Sequence, residues 1–388
     1  MLNQRAWRLV EHSHAVRVAA ALGPGPCSIT EACMRIGILS YPMLFERDDG
    51  VQRQVRETIR ALAQLGAQAE SPIAVAVINP HAVRLDEFEL IHVFSATQGN
   101  HRLVDLAAEQ GVPVVLTPLI SPGWDRASGS SARAGDHRLG NLTAGNVQSG
   151  YARTRRALQQ ASLIVALGEA EKQAIGAGFL IDDAKVRVLP NGVDPALLAA
   201  DGELFRKRTG IVGPYALMAG PISPYQNQLA MAHAMAALSL PLVLVGEAGE
   251  RDQDYLRQLR AVRGVTCLGA LRQDGPMLAS TYAAASVFLP PGEGQGAPLA
   301  VLDALAAGTP VLMAHDTPSS MAGAGFALVR VDWNDTDALQ RAVLRLLVSP
   351  PPREQVRALV RGCSWERVAR QLAACYAEVG ALRQAALV

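Results

Sequence analysis

Gln295 and Asp303 frame the most chemically suggestive stretch of this 388-residue sequence, Gln295-Gly-Ala-Pro-Leu-Ala-Val-Leu-Asp303-Ala-Leu-Ala-Ala-Gly308-Thr-Pro-Val-Leu. The spacing predicts a turn over Gly294 to Pro298 and a short helix with an apolar face of Leu299, Leu302, Leu305 and Ala306. Gly308-Thr-Pro310 then stops the helix before a strand at Val311-Leu-Met313. Gln295 can donate or accept hydrogen bonds without carrying charge, and Asp303 can accept from a diol through its carboxylate. Together they describe a ligand edge of a βαβ unit.

Three further groups have the right chemistry in the right kind of place. Asp49-Gly50-Val51-Gln-Arg-Gln-Val-Arg56 follows a strand and opens a helix, which puts backbone N–H groups and a helix N-terminus at a sheet's carboxyl edge. Ala219-Gly220-Pro221-Ile-Ser-Pro-Tyr225-Gln226-Asn227-Gln228 follows the first strand of the C-terminal half in the same way. Val265-Thr-Cys-Leu-Gly269-Ala270-Leu271 ends another strand with a glycine whose backbone could face a ligand. His92, in Leu90-Ile-His-Val-Phe94, adds a titratable ring on a strand, and His101 and Trp124-Asp125 lie nearby in sequence. Each has a plain alternative: a βα turn, a strand glycine, and a histidine whose hydrogen bonds are satisfied in the core. The two acids of Gly168-Glu-Ala-Glu171 are explained by a helix start, where negative charge complements the macrodipole.

The elements that must position these residues alternate regularly from Met34 onward. Short Val/Ile/Leu runs at Arg35 to Leu39, Ile73 to Ile78, Leu90 to Phe94, Val112 to Leu116, Leu163 to Leu167 and Val186 to Leu189 read as strands of a first half. A second set follows at Tyr215 to Ala219, Leu242 to Val245, Val265 to Leu268, Val287 to Leu289, Val311 to Met313 and Ala327 to Val331. Helical periods separate them, the clearest at Val51 to Leu65, closed by Gly66. The pattern predicts an α/β protein of two Rossmann-like halves, each a parallel sheet covered by helices. Leu189-Pro-Asn-Gly-Val-Asp194 has the turn chemistry of a linker between them. Residues 121 to 149, rich in Ser, Gly and Arg, read as a flexible loop.

Composition limits what such a protein does. The chain is long enough for two cores, and 36 basic against 35 acidic residues give a net charge of +1, which provides no bulk attraction for nucleic acid. Five cysteines, at 27, 33, 267, 363 and 375, form no C-x-x-C pair and no metal-ligand spacing, as expected of reduced thiols in a cytoplasmic protein. No apolar run approaches the roughly 20 residues that span a bilayer. Residues 1–33 precede the first strand and read as an N-terminal extension, expected to be disordered and given no function.

These motifs resemble those of the family 4 glycosyltransferases, retaining enzymes of the GT-B fold, over about residues 34 to 388. The carriers are Pro190-Asn-Gly-Val-Asp194 near mid-chain, Cys363-Ser-Trp365-Glu-Arg-Val-Ala at the start of a terminal helix, the Gly220 to Asn227 turn, and Gln295-x7-Asp303. The resemblance implies an N-terminal acceptor domain over residues 34–190, completed by 364–388 as the last helix crosses back, and a donor-nucleotide domain over 191–363. It implies a cleft with residues near 50, 92 and 124 on one side and 220 to 227, 269 and 295 to 303 on the other. It assigns Gln295, Asp303 and His92 to the reacting centre. The donor would be held by Gly50, Gly220, Gln226, Asn227, Gly269, Ala270, Leu271, Gly296, Ala297 and Leu299.

The chain also departs from the family pattern. Pro221 and Gln226 stand where the family has Arg and Lys, and Gln295-x7-Asp303 replaces a Glu-x7-Glu pair. A hydrogen bond to a charged group is worth ~1.5–3 kcal/mol, so losing both cations costs roughly 3–6 kcal/mol of transition-state stabilisation, or on the order of 10²–10⁴ in rate. Arg272 or Arg53 could partly substitute for them. Glu293 can serve as the family's first Glu only with a two-residue bulge, so Gln295 is the aligned position.

The resemblance implies transfer of a sugar from a nucleotide-diphosphate sugar to a hydroxyl acceptor with retention, without a metal or other cofactor. A glycan, lipid-linked or small-molecule acceptor fits, in polysaccharide or glycoconjugate assembly at the cytoplasmic side of a membrane. Peripheral membrane contact and a protein partner are further expectations; nucleic acid is not expected. The four departures also fit a catalytically inactive relative acting as a binding or scaffolding partner, and a nucleotide-sugar epimerase is a weaker third reading.

Overall fold

The computed structural model describes residues 34–39, 50–67, 73–79, 83–97, 99–143, 147–292, 298–315, 321 and 323–386. The chain divides into two units, Met1–Pro190 with Trp365–Val388, and Asn191–Ser364.

The first unit is built on a six-stranded parallel sheet in the order β2-β1-β3-β4-β5-β6. Its strands are β1 Met34–Leu39, β2 Ile73–Val77, β3 Leu90–Phe94, β4 Val114–Thr117, β5 Leu163–Ala166 and β6 Val186–Val188. The helices between them are α1 Gly50–Gly66, α2 His101–Glu109, α3 Arg126–Thr143, α4 Gly150–Gln160 and α5 Glu169–Phe179. Central strands such as β4 and β5 are buried along their whole length. This is why they read as unbroken apolar runs rather than alternating ones.

The second unit repeats the scheme with strand order β12-β11-β10-β7-β8-β9, all parallel. Its strands are β7 Ala216–Ala219, β8 Leu242–Val245, β9 Val265–Cys267, β10 Val287–Phe288, β11 Val311–Ala314 and β12 Leu328–Val331. The helices run α6 Pro195–Leu198, α7 Glu203–Thr209, α8 Gln228–Ala237, α9 Gln253–Ala261, α10 Pro276–Ala284, α11 Pro298–Ala306, α12 Thr336–Val348 and α13 Arg353–Ala358. The Leu189 to Asp194 segment ends with Asp194 capping α6, its carboxylate accepting from the Ala196 N–H at 2.9 Å.

The last helix, α14 Trp365–Ala386, belongs to the first unit and packs on α1 and β3. Arg187 pairs with Glu378 on it at 2.6 Å, and Arg383 donates to the Glu89 carbonyl at 2.9 Å. Among the described residues no helix is long and apolar enough to cross a membrane.

One expectation is overturned. Residues 126–143 are not a flexible loop but an 18-residue helix, α3. Its contacts with α5 are made by groups that leave no apolar period. Gly129 sits so close to α5 that a Cβ would lie 2.1 Å from the Gly178 carbonyl oxygen. Arg133 donates to the same oxygen and to the Tyr151 hydroxyl. Asp125 caps the helix through the Ser128 N–H at 2.8 Å. Trp124 packs on Tyr151 and Phe179, with ring centroids 5.3 and 5.0 Å away.

Candidate functional site

In the second unit the connection from β7 leads to β8 on one side, while β10 pairs with β7 on the other. That reversal opens a crevice at the carboxyl ends of β7 and β10, where open α/β sheets bind ligands. Gly220 follows β7, and a Cβ on it would lie 2.8 Å from the Pro291 ring after β10. The loops after β7 and β8 are equally tight. Ile222 N–H donates to the Glu247 carbonyl at 2.8 Å, and at φ +145° Gly246 has room for no side chain.

Gln226 and Asn227 lie in this crevice's wall. The Gln226 carbonyl accepts from the Gly292 N–H at 3.1 Å. Its side-chain oxygen lies 2.9 Å from where a Cβ on Gly292 would stand, and Gly292 itself has φ +86°. The amide of Gln226 is thus laid against the loop that leads from β10 toward Gln295. Asn227 adopts the left-handed conformation at φ 57° just before α8. Two partners that sequence reasoning missed hold this turn. Gln228 donates to the Pro221 carbonyl at 2.8 Å and accepts from the Ser223 N–H at 3.3 Å. Tyr255, on α9, accepts the Leu229 N–H at 2.8 Å, closing the first turn of α8.

The remaining donor-side candidates are placed as follows. The Gly269 carbonyl accepts from the Gly246 N–H at 2.9 Å, with φ +74° and open space where its side chain would be. Ala270 is exposed and Leu271 half-buried. Arg272 is exposed and pairs with Asp274 at 3.2 Å. On α11 both Leu299 and Asp303 are buried, at 3% and 2% exposure. Glu293, Gln295, Gly296 and Ala297 lie outside the described residues.

In the first unit, His92 has no exposed surface and both ring nitrogens are occupied. Nδ1 lies 2.7 Å from the Tyr376 hydroxyl of α14, Nε2 lies 2.9 Å from Thr117 Oγ1, and the ring stacks on Phe94 at 4.3 Å. Burial pushes its pKa down to about 3, so the ring is neutral at physiological pH. These surroundings favour a core role, tying α14 to the sheet, over the acceptor contact expected of it. Gly50, the first residue of α1, is exposed. His101 opens α2 half-buried, its pKa lowered by burial and then by Arg153.

The carboxyl edge of the first sheet carries the strain. Ser95 after β3 and Leu119 after β4 hold φ of 72° and 57°, left-handed conformations that side chains rarely adopt. Each costs roughly 1–3 kcal/mol and persists only where neighbours over-determine it. Asn100 fixes the first by donating to the Phe94 and Ser95 carbonyls at 2.8 and 3.1 Å. Glu171 fixes the second. Its carboxylate accepts the Ile120 N–H and the Leu167 N–H, both at 2.7 Å. Burial raises its pKa to about 7, against the lowering effect of the backbone N–H groups of Leu167, Ile120 and Leu119.

Comparison with known proteins agrees with this architecture unit by unit. Residues 6–192 match the glycosyl transferase 4-like domain family, and residues 213–349 match glycosyl transferases group 1. A D-inositol 3-phosphate glycosyltransferase of Actinosynnema mirum is 28% identical over 56% of this chain and 58% of its own length. An O-antigen chain mannosyltransferase B of Escherichia coli is 32% identical over 42% of this chain and 45% of its own. The chain spans about half the length of the curated relatives it matches. Among solved structures, a sucrose-phosphate synthase from Thermosynechococcus elongatus is similar with a TM-score of 0.64 at 17% identity, covering 90% of this chain and 100% of that one. Anabaena HepE in complex with UDP is similar with a TM-score of 0.61 at 17% identity, covering 89% and 100%. The chain is therefore a GT-B protein whose two halves match glycosyl transferase domains of the 4-like and group 1 kinds.

Proposed function

We propose that the protein transfers a sugar from a nucleotide-diphosphate sugar to a hydroxyl acceptor with retention, as a family 4 glycosyltransferase. The observation that carries this reading is the crevice at the carboxyl ends of β7 and β10, where Gly220, Gln226 and Gly292 bring two loops into backbone contact beside the start of α8. A loop edge built this closely suits a ligand read through backbone groups. HepE, a similar fold, binds UDP.

In this reading Gly220, Gln226 and Asn227 hold the phosphates, largely through backbone N–H groups, and Gly296, Ala297 and Leu299 are further donor-binding residues. Gly269, Ala270 and Leu271 offer backbone to the base, Asp303 accepts from the ribose diol, and Gln295 hydrogen-bonds the sugar. Gly50 lies at the acceptor side. The acceptor oxygen bonds to the anomeric carbon as the bond to phosphate breaks, and the departing phosphate oxygen takes the acceptor proton on the same face. No metal and no protein nucleophile enters that step. The name of the Escherichia coli relative supports a setting in polysaccharide assembly; a glycan or lipid-linked acceptor and a place on the cytoplasmic side of the membrane complete the proposal.

The second reading, an inactive partner of another protein, is favoured by one observation. Neither Pro221 nor Gln226 carries charge, and the Gln226 amide is laid against Gly292, so the crevice wall offers no cation at the two positions where a diphosphate would gain most from one. Melting the protein with and without ~1 mM UDP, GDP and ADP separates the two. A ligand at 100 times its dissociation constant stabilises by ~2.7 kcal/mol. A shift of several degrees with one nucleotide supports transfer, and no shift with any supports the inactive reading. Donor hydrolysis by P221R/Q226K then distinguishes a decayed site, which gains turnover, from an adapted one, which loses it.

A further inference from the structure

Glu171 is buried at 6% exposure on the first turn of α5, yet among the described residues no cation pairs with it. Its two oxygens are instead divided between two loops: Oε1 accepts from Ile120, three residues beyond β4, and Oε2 accepts from Leu167, directly after β5. The first of these loops contains Leu119 in a left-handed conformation. Both loops leave the carboxyl edge of the first sheet, the edge that the reading above assigns to the acceptor.

We propose that Glu171 is a positioning residue whose carboxylate clamps the loops after β4 and β5 into one arrangement at the acceptor-side edge. Only the ionised form accepts on both oxygens at full strength. A protonated carboxyl, or the amide of a glutamine, turns one of its two groups into a donor facing an N–H, and one loop loses its anchor. The charges around it leave it free to titrate. On its own helix Glu169 is exposed and Lys172 pairs with Asp183 at 3.8 Å, Asp125 at the end of the loop after β4 is exposed and accepts from Ser128, and Arg133 of α3 is spent on Tyr151 and Gly178. None of these charges contributes to its shift, which comes from burial set against the backbone N–H groups. While the carboxyl stays buried, it therefore makes both bonds above about pH 7 and gives one up as it takes a proton below that pH.

Amide hydrogen exchange tests this on the full chain without nucleotide, corrected for the intrinsic pH dependence of exchange. In E171Q at pH 8, peptides covering 118–121 and 167–169 should exchange at least ten times faster than in the unsubstituted protein, with peptides from β1, β3 and α14 unchanged. In the unsubstituted protein the same peptides should lose protection between pH 8 and pH 6, and in E171Q they should not respond. Unchanged exchange in E171Q, or a uniform loosening of the whole first unit, overturns the proposal. If E171Q does not fold, the pH series alone decides: a local loss of protection supports the clamp and a flat series overturns it. The inference rests on the transfer reading only for the name of the edge. Failure of UDP, GDP and ADP to bind would overturn that reading while leaving the exchange result standing.

Discussion

A methyl group on Gly246 would stand 1.9 Å from the carbonyl oxygen of Gly220, so the loops after β7 and β8 lie in backbone-to-backbone contact. Nothing at the end of a flexible side chain is there to move aside.

Gly246→Ala should therefore destabilise the second unit by about 3 kcal/mol or more, since a backbone clash adds to an unfavourable φ. Gly269→Ala is the matched comparison. Its φ is also positive, at +74°, but its Cβ meets nothing within 4 Å. It should cost only about 1 kcal/mol. Urea unfolding of the two variants measures the difference.

Tyr376→Phe removes the hydroxyl 2.7 Å from His92 Nδ1 and leaves a buried nitrogen without its partner. The expected loss is about 1–3 kcal/mol, read as a lower urea midpoint. Faster amide exchange in α14 than in β4 would locate the damage at the helix and not at the Thr117 side of the ring.

Tyr255→Phe takes away the hydroxyl that accepts the Leu229 N–H. Losing a helix cap of this kind costs ~1 kcal/mol. A variant as stable as the parent in urea would show that water replaces the hydroxyl at the start of α8.

Two buried groups give stability opposite slopes with pH. His92 is held down to about 3 from an ordinary value of 6.5. The unfolded chain takes up a proton that the folded one refuses, and stability falls as pH drops from 6.5 toward 3. Glu171 is raised to about 7 from an ordinary 4.5. Its contribution is complete below 4.5 and is lost as pH rises to 7. Each slope is about 1.4 kcal/mol per pH unit per proton, so between pH 4.5 and 6.5 the two cancel. E171Q should remove one slope and make stability rise with pH through that interval, as urea midpoints at pH 5, 6 and 7 would show.

The twelve strands were legible because a parallel sheet buried on both faces is written as unbroken Val, Ile and Leu. The turn after β7 was legible for a related reason: Gly220 and the prolines that follow it are local signals. What escaped depends on partners far along the chain. Tyr255 meets Leu229 and Glu171 meets Ile120 across 26 and 51 positions, and neither residue type announces such a contact. Helix α3 escaped because Gly129 and Arg133 make its packing, and neither adds to an apolar period. His92 was legible as a chemical group with a satisfied core role as its alternative, but its partner was not, since Tyr376 is 284 positions away.

That distance has a consequence for synthesis. The second unit, Asn191–Ser364, is complete in sequence before the helix that finishes the first unit leaves the ribosome. At about 5–20 residues per second, the interval between the end of β6 and the arrival of α14 is on the order of ten to forty seconds. Throughout it α1 and β3 lack the helix that covers them, and His92 lacks one of its two hydrogen-bond partners. The inserted unit is whole while the first half of the chain still waits for its last helix.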